Sequence, residues 1–362
     1  MNYQTYQHNR NYGCRITELS LQGHRCVSLE NEKLRVTIIA DKGTDIYEFL
    51  YKPRDVDFMW RTWVGLRERS HFLPTSSRPG SGAHMDYYEG GWQEMFPNCG
   101  NLSLHQGAEI GQHGEVLLLP WRYAITKDEP DEIEVRFEVR TVRTPFHLIK
   151  TVSLRSNEAV LRIHERVINE SGQDVNFTWG HHPAFGWPFI DESCRVDLPS
   201  CRIRTIADFS PATSRLKPNQ ASDWPIAEGA HGEQVDLSRI PGPDAAASDM
   251  VFLEGITDGW YAVTNTRLGI GFALRYPADV FKQLWYWQVY RGGRDYPWWN
   301  ATYNIALEPC ATSPVLSHAV ARGEALSLGP GESREIEMIA LAFEGSERIS
   351  GISSDGEVMS DE

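Results

Sequence analysis

No apolar run in the chain approaches the ~18 residues that a bilayer-spanning helix needs. The first residues, Met1 to Gly13, are polar and contain no hydrophobic segment of the secretory kind. The sequence therefore reads as that of a cytoplasmic protein with no membrane partner. Positive charge is also scarce: 35 Lys and Arg against 49 Asp and Glu leave a formal net charge of −14. Phosphate backbones need a cation surplus on some face, so no nucleic-acid partner is expected. The six cysteines (Cys14, Cys26, Cys99, Cys194, Cys201 and Cys310) form no CxxC pair. That speaks for reduced, buried thiols and against a zinc ribbon or a disulfide framework. There is no GxGxxG, no GKS or GKT, and no alternation of strand and helix patterns, which argues against a Rossmann or barrel enzyme. Apolar residues nowhere keep helical spacing over a long segment, so helices should be few and short.

Strand patterns fill the space. Glu132 to Arg140 alternates charged and apolar residues at period two, as a half-buried antiparallel strand does. Ala159 to Ile168 does the same and stops at Asn169-Glu170-Ser171-Gly172. Leu34 to Ala40, Leu268 to Tyr276 and Glu335 to Phe343 are further strands, separated by turn signals such as Gly329-Pro330-Gly331. Residues 207–249, rich in Pro, Ala, Ser, Asp and Gly, read as a long excursion with little regular structure. Strands on both sides of it point to one all-β domain over residues 1–349. The polar, acidic residues 350–362 read as a disordered tail.

Aromatic residues are abundant: 12 Trp, 14 Tyr and 14 Phe. Their faces stack on the C–H faces of sugars as well as filling cores. Four short segments could carry chemistry. Trp179-Gly180-His181-His182-Pro183-Ala184-Phe185-Gly186 sets two histidines in a strand, where they face opposite sides and only one can enter a given pocket. Ile305 to Thr312 delivers Glu308 directly before Pro309, and a buried carboxylate needs a partner or a function. Glycines bracket Trp92, Gln93, Glu94 and Phe96 in the 90–100 stretch, and His113-Gly114 follows. Arg291-Gly292-Gly293-Arg294-Asp295-Tyr296-Pro297-Trp298-Trp299-Asn300 puts two arginines beside tryptophans, able to meet an anion or stack on a ring.

The order of these segments, a Gly-rich Phe-Pro turn, then His-Gly, then His-His-Pro-Ala-Phe, a Trp-rich strand and Leu-Glu-Pro, resembles that of the aldose 1-epimerase (galactose mutarotase-like) superfamily, in a divergent bacterial branch. The resemblance runs from about Leu29 to Phe343. It implies an antiparallel β-supersandwich that binds a sugar across a concave sheet and interconverts the anomers of a free aldose without a cofactor or metal. By the same resemblance His182 is the general acid, Glu308 the general base, and His113 a histidine that holds the sugar. The family's substrate-holding Arg is missing, because the corresponding stretch reads Asn98-Cys99-Gly100-Asn101. A sugar in such a site is expected to pack on Trp179, Phe185 and Trp287. Gln93 would serve its hydroxyls, and Arg291 and Arg294 an acidic or sulfonated group if it carries one.

Two other readings stay open on sequence alone. His84, His113, His181, His182 and Glu308 are common metal-ligand types, which allows a metal-dependent sugar isomerase. A sandwich of this kind could also bind carbohydrate without catalysis.

Overall fold

The computed structural model describes residues 10–69, 82–312 and 314–361. Two large antiparallel sheets lie face to face, as the alternating strands require. The larger holds twelve strands. Arg15–Leu21, His24–Glu30, Leu34–Ile39 and Asp45–Tyr51 meander along one half; Trp92–Met95, Gly180–Phe185, Tyr303–Cys310, Gln283–Tyr290 and Ala247–Glu254 form the centre. The second has eight strands in the order Cys194–Asp197, Trp260–Asn265, Ile270–Arg275, Ser333–Glu344, Val160–Asn169, Phe146–Arg155, Glu132–Arg140 and Arg122–Asp128.

Glu132–Arg140 shows why this sequence makes a sheet with one wet face. Ile133, Val135, Phe137 and Val139 are buried, while the intervening charged residues are not. Their apolar partners from the larger sheet, among them Val27, Leu29, Val36 and Phe49, complete a core between the layers. At ~25 cal/mol per Å² of apolar surface removed from water, this core is the main source of stability. Helices are few among the described residues, the α-helices being Gly82–Asp86 and Leu316–Ala321. No helix of the described residues is long and apolar enough to cross a membrane.

The excursion carries only short strands, of which Ala221–Asp223 pairs with Arg202–Arg204 at the edge of the larger sheet. One expectation needs correction. The expected disordered tail is instead a hairpin of Ile349–Ile352 with Val358–Ser360. Its Ile349, Ile352 and Val358 pack on Trp260, Ala262, Ala273 and Leu341, the outer face of the smaller sheet. Three apolar residues in an acidic stretch are enough to hold it there.

Candidate active site

The register of the central strands sets side chains in rows across the larger sheet. Gly180 lies opposite Cys310 and Ala184 opposite Ala306, which puts His182 opposite Glu308. Gln93 lies on the other side of His182, and Trp285 on the other side of Glu308. The next row holds Ala184, Ala306, Trp287 and Met250. Small alanines between large rings leave a hollow. Loops close its sides: His84 and Tyr88 from and after the short 82–86 helix, Asn101, Gln112 and His113 from neighbouring turns, Phe209 from the excursion, and Trp298. The hollow measures about 820 Å³ including its open mouth.

At its floor His182 Nε2 stands 3.4 Å from Glu308 Oε1, and Tyr88 Oη lies 3.3 Å from His182 Nδ1. The His113 ring centroid is 5.6 Å from that of His182 and 4.8 Å from that of His84. Nδ1 of His113 donates to the Cys99 carbonyl. A carbonyl can only accept, so the proton is on Nδ1 and Nε2 is the acceptor. Nδ1 of His84 is buried without a hydrogen-bond partner among the described residues.

Burial sets the charge states. It pushes His182 down to about 3, with the neighbouring His113 adding to the effect, and His113 itself down to about 4. His84 is lowered as well, by burial first and then by His113. The same burial lifts the Glu308 carboxyl well above its ordinary value. Separated as an imidazolium and a carboxylate the pair is therefore disfavoured; a neutral imidazole facing a protonated carboxyl holds the same single titratable proton without separating charge.

Among the described residues, the donor groups close enough to share a metal ion are Glu94, Glu165 and His181. There Lys150 Nζ already stands 2.7 Å from Glu94 Oε2 and 3.2 Å from Glu165 Oε1.

The structure brings His113, His182, Trp287 and Glu308 into one hollow and leaves the other expected residues outside it. Trp179 and Phe185 share the parity of His181, so they face the core between the sheets. Trp179 donates from Nε1 to Glu94 Oε1 at 3.0 Å, and Phe185 packs on Phe189 and Phe272. Gln93 occupies the row of His182, but its amide turns away and donates to Asp45 Oδ2 at 3.0 Å. Arg291 and Arg294 are exposed and do not line the hollow. Gly292 packs on the Ala247 backbone, where a Cβ would stand 2.2 Å from the Ala247 carbonyl carbon. Sequence reasoning missed Tyr88, Trp285 and Trp298 and considered His84 only as a metal ligand. The period-two pair Trp285 and Trp287, opposite Glu308 and Ala306, was a readable signal for one wall.

The His113 turn depends on Gly114. Its φ is +85°, and an added Cβ would stand 2.0 Å from the Phe96 carbonyl oxygen. Gly114→Ala should therefore destabilise the fold by about 1–3 kcal/mol, and the loss should appear in the urea midpoint.

The fold recurs in solved structures. A "putative aldose 1-epimerase" from Klebsiella pneumoniae superposes with a TM-score of 0.74 at 14% identity, covering 95% of this chain and 87% of that one. A galactose mutarotase-like protein from Clostridium acetobutylicum gives 0.63 at 16% identity over 92% and 99% of the two chains. A galactose mutarotase related enzyme from Lactobacillus acidophilus gives 0.58 at 16% identity over 89% and 99%. The chain thus has the galactose mutarotase-like β-sandwich fold. No curated protein matches the sequence. Residues 21–340 match the model of a domain family of unknown function, DUF4432, and the chain belongs to that family.

Proposed function

We propose that the protein is an aldose 1-epimerase, interconverting the α and β anomers of a free aldose in the hollow above His182 and Glu308. The observation that carries this reading is the pair itself: two proton-carrying groups 3.4 Å apart at the floor of an aromatic-walled cavity. Anomerisation moves the proton of the C1 hydroxyl to a base while the ring oxygen receives one from an acid. The C1–O5 bond breaks to give an aldehyde and a C5 hydroxyl. Rotation about C1–C2 and reclosure on the other carbonyl face reverse both transfers. No net proton is gained or lost, so a pair holding one proton is the competent state. With the proton on the imidazole, His182 is the acid and Glu308 the base; with the proton on the carboxyl, the roles exchange. Positioned groups of this kind contribute ~10²–10⁴-fold. Trp285, Trp287 and Trp298 offer faces to the sugar's C–H surfaces, and His84, His113, Asn101 and Gln112 offer hydroxyl partners.

The direct test is to follow a freshly dissolved single anomer by polarimetry or NMR with and without the protein. Acceleration across a panel of aldoses supports the reading; none on any aldose removes it. The pH profile carries a second test. His84, Tyr88, His113 and Glu308 lie around His182, and burial holds its protonation near 3 and that of His113 near 4. A second proton therefore enters only in that range. kcat/KM should hold down to about pH 4, with no limb at the ~6.5 of an ordinary histidine. An acid limb centred near 6.5, with kcat/KM falling as pH drops through it, would mean that the catalytic imidazole titrates as if exposed.

A further inference from the structure

Nine large hydrophobic side chains of the described residues are exposed, and three of them stand together: Trp63 at 58%, Tyr296 at 52% and Trp299 at 56%. They line a second concavity of about 620 Å³ including its mouth. Met85 lines both this concavity and the inner hollow, and the adjacent residues Trp298 and Trp299 each line one of them. The outer concavity therefore adjoins the inner one across Met85. Exposed aromatic patches of this kind mark binding surfaces.

This wall is fixed in place. Trp63 Nε1 donates to the Pro297 carbonyl at 3.0 Å, tying the 63 and 297 segments together. Arg67 Nε donates to the Asp86 carbonyl at 2.9 Å, and the Tyr296 hydroxyl donates to Asp86 Oδ1. Trp299 and Asn300 both have positive φ, +46° and +57°. That backbone kink is uncommon for bulky residues, and it sends Trp298 inward and Trp299 outward. Flat apolar ring faces beside carboxylate, guanidinium and phenol groups suit a pyranose, which has an apolar C–H face and a polar rim. They do not suit a purely apolar ligand.

We infer that Trp63, Tyr296 and Trp299 form a second sugar subsite, so that the preferred substrate is a reducing disaccharide whose reducing-end ring lies over His182 and Glu308. The inference rests on the aldose 1-epimerase reading for the inner ring. It also reassigns the Arg291–Asn300 loop: the loop serves the sugar through ring faces and not through its arginines.

Calorimetric titration of the full chain tests it with galactose, glucose, lactose and maltose, using wild type, Trp63→Ala, Trp299→Ala and Glu308→Gln. A disaccharide should bind about tenfold more tightly than its reducing-end monosaccharide. Trp63→Ala and Trp299→Ala should each remove most of that advantage and leave monosaccharide affinity unchanged. Glu308→Gln should keep the advantage. Equal affinities for mono- and disaccharide, an advantage that survives both Trp variants, or no sugar binding at all would overturn the subsite. So would a dimer in sedimentation that Trp299→Ala dissolves, with no disaccharide preference, because the patch would then be a self-association face. Disaccharide binding that depends on the tryptophans, without any anomerisation, would retain the subsite and remove the epimerase reading.

Discussion

Replacing Glu308 by Gln should lower anomerisation by about 10²–10⁴-fold while sugar binding and folding survive. Gln keeps the size and shape of Glu, so the packing against Trp285 and His182 is retained, yet an amide cannot relay the proton that ring opening requires. The stability side of the same substitution separates a catalytic loss from a structural one. Burial holds the folded-state pKa of Glu308 above its unfolded value. Such a carboxyl takes up a proton on folding, and its contribution to stability falls as pH rises from the unfolded value upward. Gln does not titrate, so that loss disappears. The melting temperature of Glu308→Gln should therefore equal or exceed that of the wild type at pH 7 to 8, while its turnover collapses. A variant that loses activity only as far as it loses folded protein would place Glu308 among structural residues instead.

Most of the fold was legible because its signals are local. Period-two alternation in Glu132–Arg140 and Val160–Asn169 reports directly which face meets the core. The strand parity that separates His181 from His182 was readable too, and it predicts which histidine shares a face with Glu308 once the two strands are known to pair. That pairing is not local. Gly180–Phe185 and Tyr303–Cys310 are more than a hundred residues apart, and only the register shows that their side chains meet. The same parity applied to Trp179 and Phe185 would have kept both out of the site, since each is an even number of residues from His181. The loop residues were illegible for a different reason. Arg291 and Arg294 sit beside Gly292 and Gly293, and nothing in that sequence says that Gly292 packs on the Ala247 backbone or that both arginines stay out of the hollow. His84 lies on a single helical turn too short to leave a periodic signature, and Tyr88 follows it in irregular chain.

Behind the strand that carries His182 lies a buried network without a local sequence signature, and it supports the second large effect. Lys150 bridges Glu94 and Glu165, and Trp179 donates to Glu94. Trp92 Nε1 donates to His181 Nδ1 at 3.2 Å; an indole can only donate, so the His181 proton is on Nε2 and points at Glu165 Oε2, 3.1 Å away. Against the upward push of burial, Lys150 and His181 hold the Glu165 carboxyl down to about 2. That contribution to stability is present above the unfolded value and persists until pH falls through about 2. Lys150→Met removes the cation and leaves two buried carboxylates facing each other, which should destabilise the fold by about 3–5 kcal/mol, a large share of the ~5–15 kcal/mol typical of a domain. Adding Glu94→Gln should recover part of it, because one of the two stranded charges is then gone. Urea denaturation of the three proteins measures both effects. Lys150 does not line the hollow, so the folded fraction of Lys150→Met should retain far more turnover than Glu308→Gln. A loss below about 1 kcal/mol would mean that water reaches Glu94 and Glu165 once the lysine is gone, and that the strand carrying His182 is not pinned from behind by these charges.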